Sequence, residues 1–272
     1  MIQALRHFLL AVQFFSRIPV TGRLADWVGW SPELQRASAA HLPGVGWLVG
    51  MLTAGVLLLI GWLLAPHPWM PLVAAVCSTA SGLWLTGAFH EDGMADVADG
   101  LGGFLPAERA LEVMKDSRIG AYGAIALVMG LLTKVALVAA LVATNLVVAA
   151  SLLCAIHVLS RGAPLVLMRW LPHVSKPASS KTLHIAGQQL SSHGLLVGAL
   201  WCLPAAVWVM LQTPWPVWIA MLVAAALVVC RMGRFFQRRL GGMTGDCLGA
   251  TQQICELALY LVALVALVRT GM

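Results

Sequence analysis

Apolar runs long enough to cross a bilayer recur along this 272-residue chain, and they restrict its fold more than any other feature. A membrane-spanning helix needs about 20 consecutive, mostly apolar residues. Inside hydrocarbon every backbone N–H and C=O must be satisfied by the chain itself, which leaves helices and closed β-barrels. A barrel would require short segments of alternating polarity, and none are present. With 60% hydrophobic and 10% charged residues, the chain is expected to be all-α: a polytopic integral membrane helical bundle forming a single membrane domain, 1–272.

About seven spans are expected, near 44–64, 69–89, 121–142, 146–166, 194–211, 215–230 and 254–268. The segment 1–43 carries Arg6, Arg17, Arg23 and Arg36 and is broken by Pro19, Gly22 and Pro32. Its apolar stretch from Leu5 to Ser16 has no small-residue cleavage site, so it reads as an N-terminal interfacial helix and not as a signal peptide. Nearly all Lys and Arg fall in this segment and in the loops 90–120, 167–193 and 231–250, whereas the short turns near 66, 144 and 213 have none. By the positive-inside rule those basic loops are cytoplasmic. The expectation is a multi-pass membrane protein with its active site facing the cytoplasm. The formal charge of +6 then means contact with anionic lipid headgroups of the bilayer and no nucleic-acid partner. Self-association into a homo-oligomer is left open. The six cysteines contain no C-x-x-C pair, which argues against a zinc site or a disulfide framework.

The chemistry is expected at His90-Glu91-Asp92-Gly93-Met94-Ala95-Asp96-Val97-Ala98-Asp99-Gly100. The chain has 11 Asp and Glu in all, and four of them lie in these eleven positions. Asp92, Asp96 and Asp99, at i, i+4 and i+7, share one helix face. Like charges so placed repel, and a divalent cation removes the repulsion. Hard carboxylate oxygens suit Mg²⁺, which is commonly held by a few carboxylates together with substrate phosphates. Asp246, after Gly241-Gly242, is a further candidate metal ligand. Glu91 points about 100° away from the triad and reads as solvated or supporting. His90 is a candidate catalytic group beside the three aspartates. Lys115, Ser117, Arg118 and Arg161 are candidate phosphate contacts, as are Thr244 and Gly245, where successive glycines and a hydroxyl can form an anion-binding nest. Lys134, His157 and Glu256 are ionisable groups within or at the ends of spans, where such groups are usually paired or functional. Glu256 is expected to pair with Arg161 or Lys134.

Three segments together resemble one known family. Phe89 through Gly100, Met114-Lys115-Asp116-Ser117-Arg118-Ile119-Gly120, and Leu240-Gly241-Gly242-Met243-Thr244-Gly245-Asp246-Cys247-Leu248-Gly249-Ala250 are similar, in order and separation, to the signatures of the cobalamin synthases (adenosylcobinamide-GDP ribazoletransferases). Phe15-Ser16-Arg17-Ile18-Pro19-Val20 and the spacing of Pro43, Gly46 and Gly50 also fit. Glu91 stands where many members have Leu, and the 170–190 loop departs from the family pattern. The resemblance implies a Mg²⁺-dependent membrane transferase that joins adenosylcobinamide-GDP to α-ribazole or its 5′-phosphate and releases GMP. Two other readings are weaker. A CDP-alcohol phosphatidyltransferase would continue its acidic signature with Arg after Ala95 and with later, wider-spaced Asp residues. A cation transporter would place its acids at mid-bilayer instead of on one surface.

Overall fold

The computed structural model describes residues 2–174 and 189–271. Lys176 and Lys181, within the loop set apart in the sequence, lie outside the described residues. Among the described residues there are thirteen α-helices, two 3₁₀ turns and no strand.

Helix α1 (Ile2–Phe15) buries Leu10, Ala11, Val12 and Phe15. Two short helices follow, α2 (Arg23–Val28) and α3 (Pro32–Ser38). Pro32 sits at the start of α3 beside the capping Ser31 hydroxyl, where its missing N–H costs nothing. It therefore begins a helix instead of breaking one. A 3₁₀ turn, Ala39–His41, joins α3 to α4 (Leu42–Leu64), so this first apolar unit runs from Pro32 to Leu64.

Helix α5 (Met70–Thr86) ends at Gly87 and Ala88, both left-handed. The chain there bends by 88° into α6 (Phe89–Leu101), which carries the acidic motif. The second expected span is thus cut short at Thr86, and the start of the expected 90–120 loop is helical and packed within the bundle. Helix α7 (Ala107–Val113) and a turn lead to α8 (Ala121–Thr144).

Helix α9 (Leu146–Leu159) passes through a 3₁₀ turn, Ser160–Gly162, into α10 (Ala163–Trp170). Pro164, in the first turn of α10, lacks the N–H needed to continue the ladder from α9, so the helix tightens there. The remaining helices are α11 (Ser192–Gln212), α12 (Trp215–Leu240) and α13 (Gly245–Thr270).

Among the described residues six helical units are long and apolar enough to cross a membrane, or seven when the bent α5–α6 pair is counted as one span. Their outward faces present large apolar side chains such as Leu59, Trp62, Ile125, Leu132, Leu222 and Val265, the surface that lipid tails require. The last two spans extend beyond the expected limits. Arg231, Arg234, Arg238 and Arg239 continue α12 instead of forming a loop, and α13 starts at Gly245 instead of near 254. Only Gly241–Thr244 separates the two helices. Hydropathy undershot both because Arg-rich and Gln-rich turns are polar, yet they remain helical where one face packs on neighbours.

Candidate active site

The acidic helix α6 lies against the first turns of α13. At Gly93 a β-carbon would stand 2.9 Å from Asp246 O and 3.0 Å from Asp246 Cα, and at Gly249 one would stand 3.1 Å from His90 O. The two backbones cross where neither has a side chain in the way. The crossing brings together carboxylates that are 150 residues apart in sequence. Asp96, partly buried, is close enough to Asp246, Asp92 and Asp99 to feel the repulsion of all three. Neither Asp92 nor Asp96 has a hydrogen-bond or ion-pair partner among the described residues. Lys115 is within electrostatic reach of Asp246 and of His173, whose protonation it opposes together with burial.

Asp99 differs from Asp92 and Asp96 in having partners of its own. Its Oδ2 accepts from Gly120 N–H and its Oδ1 from Gly123 N–H, both at 2.8 Å. These are orphan donors at the start of α8, where a negative charge is favoured by the helix dipole. Asp99 thus braces α6 against α8, and Gly123 supplies the space its carboxylate occupies.

The Gly241–Thr244 turn is built from two helix caps. Gly241, left-handed, ends α12, and Thr244 Oγ1 caps α13 by accepting from Cys247 N–H. Thr244 also donates to Asp246 Oδ2 at 3.3 Å. Met243 N–H is taken by Pro172 O and Met243 O accepts from Val174 N–H, which ties this turn to the end of α10. Gly245 opens α13 next to Asp246.

Ser117 and Arg118 are exposed at the α7–α8 connection. The Arg118 guanidinium makes a two-toothed contact with Asp116, at 2.6 and 2.9 Å, which holds the Asp116 carboxyl down at about 2.

His90, Glu91 and Arg161 are all interior. His90 is 2% exposed and lines a small cavity with Phe14, Phe15 and Phe89, and neither ring nitrogen has a partner among the described residues. Of the two readings left open for Glu91, solvated or supporting, burial rules out the first. The Glu91 Oε1 accepts from Gln253 Nε2 at 2.9 Å. Gln253 Nε2 also donates to Gln252 Oε1, and Gln252 Nε2 donates to Glu256 Oε2 and Ser160 Oγ, at 2.8 to 3.0 Å. Lys134 Nζ closes the chain 2.7 Å from Glu256 Oε1. Of the two partners left open for Glu256, the ion pair forms with Lys134. Arg161 donates instead to His157 O at 2.7 Å. The formal charges of the buried Glu91, Glu256, Lys134 and Arg161 side chains balance, the condition under which ions are tolerated at membrane depth.

Sequence reasoning missed Gln252, Gln253 and Ser160. The signal was an amide pair with Glu256 one helical turn beyond Gln252, hidden because the span was expected to begin at 254. It also missed Arg239, whose guanidinium donates to Leu101 O at 3.1 Å and Gly103 O at 2.9 Å. That contact clamps the C-terminal end of α6, whose last carbonyls have no intrahelical partner.

Among the described residues no three His, Cys, Asp or Glu side chains already close around a metal ion. The donor set at the α6–α13 crossing nevertheless fits Mg²⁺, because the unpartnered Asp92 and Asp96 carboxylates crowd Asp246 there and Mg²⁺ takes one or two carboxylates plus substrate phosphate oxygens.

Residues 7–264 match the family described as cobalamin-5-phosphate synthase (CobS). Over 279 residues the chain is 51% identical to the adenosylcobinamide-GDP ribazoletransferase of Polaromonas naphthalenivorans (strain CJ2), covering 98% of this chain and 100% of that relative. It is 52% identical over 282 residues to the enzyme of the same name from Polaromonas sp. (strain JS666), with 97% and 98% covered. The Vibrio cholerae O395 enzyme is 42% identical over 258 residues, with 94% and 92% covered. No solved structure matches the chain.

Proposed function

The chain belongs to the cobalamin-5-phosphate synthase family, and on that premise we propose that it is a membrane-embedded adenosylcobinamide-GDP ribazoletransferase. It joins adenosylcobinamide-GDP to α-ribazole or its 5′-phosphate, releasing GMP, at the inner membrane with the site open to the cytoplasm. The observation that carries the reading is the meeting of the unpartnered Asp92 and Asp96 carboxylates with Asp246 where α6 crosses α13, beside Lys115.

Asp92, Asp96 and Asp246 would hold Mg²⁺, which when bound supplies neutralising charge for the pyrophosphate and the departing GMP. The protein's own part is to orient and to exclude. Asp99 and Arg239 fix α6 at its C-terminal end, so the Asp92 and Asp96 carboxylates are presented in one geometry. Lys115 offers a cation to phosphate oxygens next to Asp246, and the exposed Ser117 and Arg118 follow it in the chain. One of the partner-free carboxylates takes the proton of the attacking ribose hydroxyl. His90 and Arg161 are enclosed, so their part in this reading is to support the site from the interior.

The test is GMP release by the purified protein in liposomes containing adenosylcobinamide-GDP, α-ribazole and Mg²⁺. Production of GMP with a cobalamin product, abolished in Asp92→Asn and Asp96→Asn, supports the assignment. A well-folded wild type that releases no GMP from these substrates removes it.

A further inference from the structure

A groove of ≈640 Å³ runs between α10, α11 and α12. It is walled by Val166, Ala206, Trp218, Leu222, Ala226 and Cys230, among others, and almost all of its surface is apolar. Its volume lies in the roughly 300–1,000 Å³ range of small-ligand sites.

Two of its walls change character at the same end. On α12, Leu222, Ala226 and Cys230 follow at four-residue spacing, and the next position on that stripe is Arg234. On α10, Ala163 and Val166 line the groove, and Arg169 and Trp170 come one turn later. The stripes meet at that level, because a β-carbon at Gly233 would run into the Trp170 ring. Arg169, Arg231 and Arg234 are exposed there, and none has a hydrogen-bond or ion-pair partner among the described residues. An apolar trough within the spans, closed at one end by free guanidinium groups and an interfacial tryptophan, matches the two halves of a lipid: tail in hydrocarbon, phosphate at the interface.

We propose that this groove binds one anionic phospholipid, with an acyl chain along α11 and α12 and the phosphate between Arg169 and Arg234. An anionic lipid offsets one of the two guanidinium charges, whereas a zwitterionic lipid brings no net charge and offsets neither. The site is connected to the acidic helix through α12 itself, since Arg239, beyond Arg234 on the same helix, clamps the end of α6 at Leu101 and Gly103.

The test is native mass spectrometry of full-length protein released from bilayers of equal phosphatidylglycerol and phosphatidylcholine. Wild type is expected to retain phosphatidylglycerol over phosphatidylcholine by roughly tenfold or more, since each basic group near the surface adds on the order of 1 kcal/mol. Arg169→Gln/Arg234→Gln, at exposed positions, should bring that ratio to about one while bound lipid remains. Ala226→Trp, which fills the trough, should lose bound lipid of both kinds. Equal retention of the two lipids by wild type overturns the proposal, as does a preference unchanged in the double variant. So does a lipid-free groove occupied by a second copy, which would reveal itself as a Cys230–Cys230 cross-linked dimer.

Discussion

Lys134 Nζ stands 2.7 Å from Glu256 Oε1, with the two side chains only 5% and 1% exposed. The pair joins α8 to α13 in the middle of the bundle. Through Gln252 and Gln253 the same network reaches Glu91, one residue before the first aspartate of the acidic helix. Removing one partner leaves a bare charge in a low-dielectric interior, a loss of about 3–5 kcal/mol. Lys134→Met and Glu256→Gln are each expected to lower the unfolding temperature in detergent strongly. The double variant should recover part of the loss, because neither charge is then left alone. A double variant as unstable as the worse single one would show that the pair is not the source of the effect.

The two contacts of Asp99 with the start of α8 separate its role from those of Asp92 and Asp96. Asp99→Ala should cost about 1.5–3 kcal/mol through loss of charge-assisted hydrogen bonds, with amide exchange accelerating at residues 120–124. Asp99→Asn, which keeps one oxygen acceptor, should lose less activity than Asp92→Asn or Asp96→Asn. The last two should also need more Mg²⁺ for half-maximal rate. An Asp99→Asn enzyme with the larger shift in Mg²⁺ requirement would return Asp99 to the metal.

Arg239 satisfies carbonyls at the end of α6 from the end of α12. Arg239→Gln is expected to leave the bundle folded, since the side chain is only partly buried. The rate of GMP release should fall about tenfold, the kinetic equivalent of about 1.4 kcal/mol of lost positioning. Arg239→Lys should restore only part of it, because a single ammonium cannot match the guanidinium fork.

Ala88 has φ of 57° and is the only non-glycine residue at positive φ among those described. A left-handed alanine costs roughly 1–2 kcal/mol, and it is held there because the bend from α5 to α6 requires it. Ala88→Gly should be neutral or raise thermal stability by up to about 1 kcal/mol. Ala88→Val should lower stability and reduce GMP release together. A destabilised glycine variant would mean that the methyl group, and not the backbone, is what matters at this corner.

Much of the protein was legible along the chain. Runs of apolar residues locate the spans because hydrocarbon tolerates only internally bonded backbone, and that constraint acts residue by residue. The i, i+4, i+7 spacing of Asp92, Asp96 and Asp99 does place them on one helix, as the structure has it. The helix ends were less legible, because Arg231 to Arg239 and Gly245 to Gln253 read as loop on hydropathy alone. They are helical since their apolar faces, including Phe236 and Cys247, are buried against neighbours.

The sequence by itself determined the membrane class, the number of apolar units, the acidic helix and the family, because each rests on local composition or ordered motifs. Only the tertiary structure decided what the charged residues do. Asp246 joins Asp96 because two glycine-bearing helices cross; Asp99 bonds the start of α8 because that helix offers bare N–H groups. Lys134 takes Glu256, while Arg161 is left to His157. Those outcomes depend on distances between segments far apart in the chain, and a charge in a membrane protein is satisfied by whatever partner packing brings within reach.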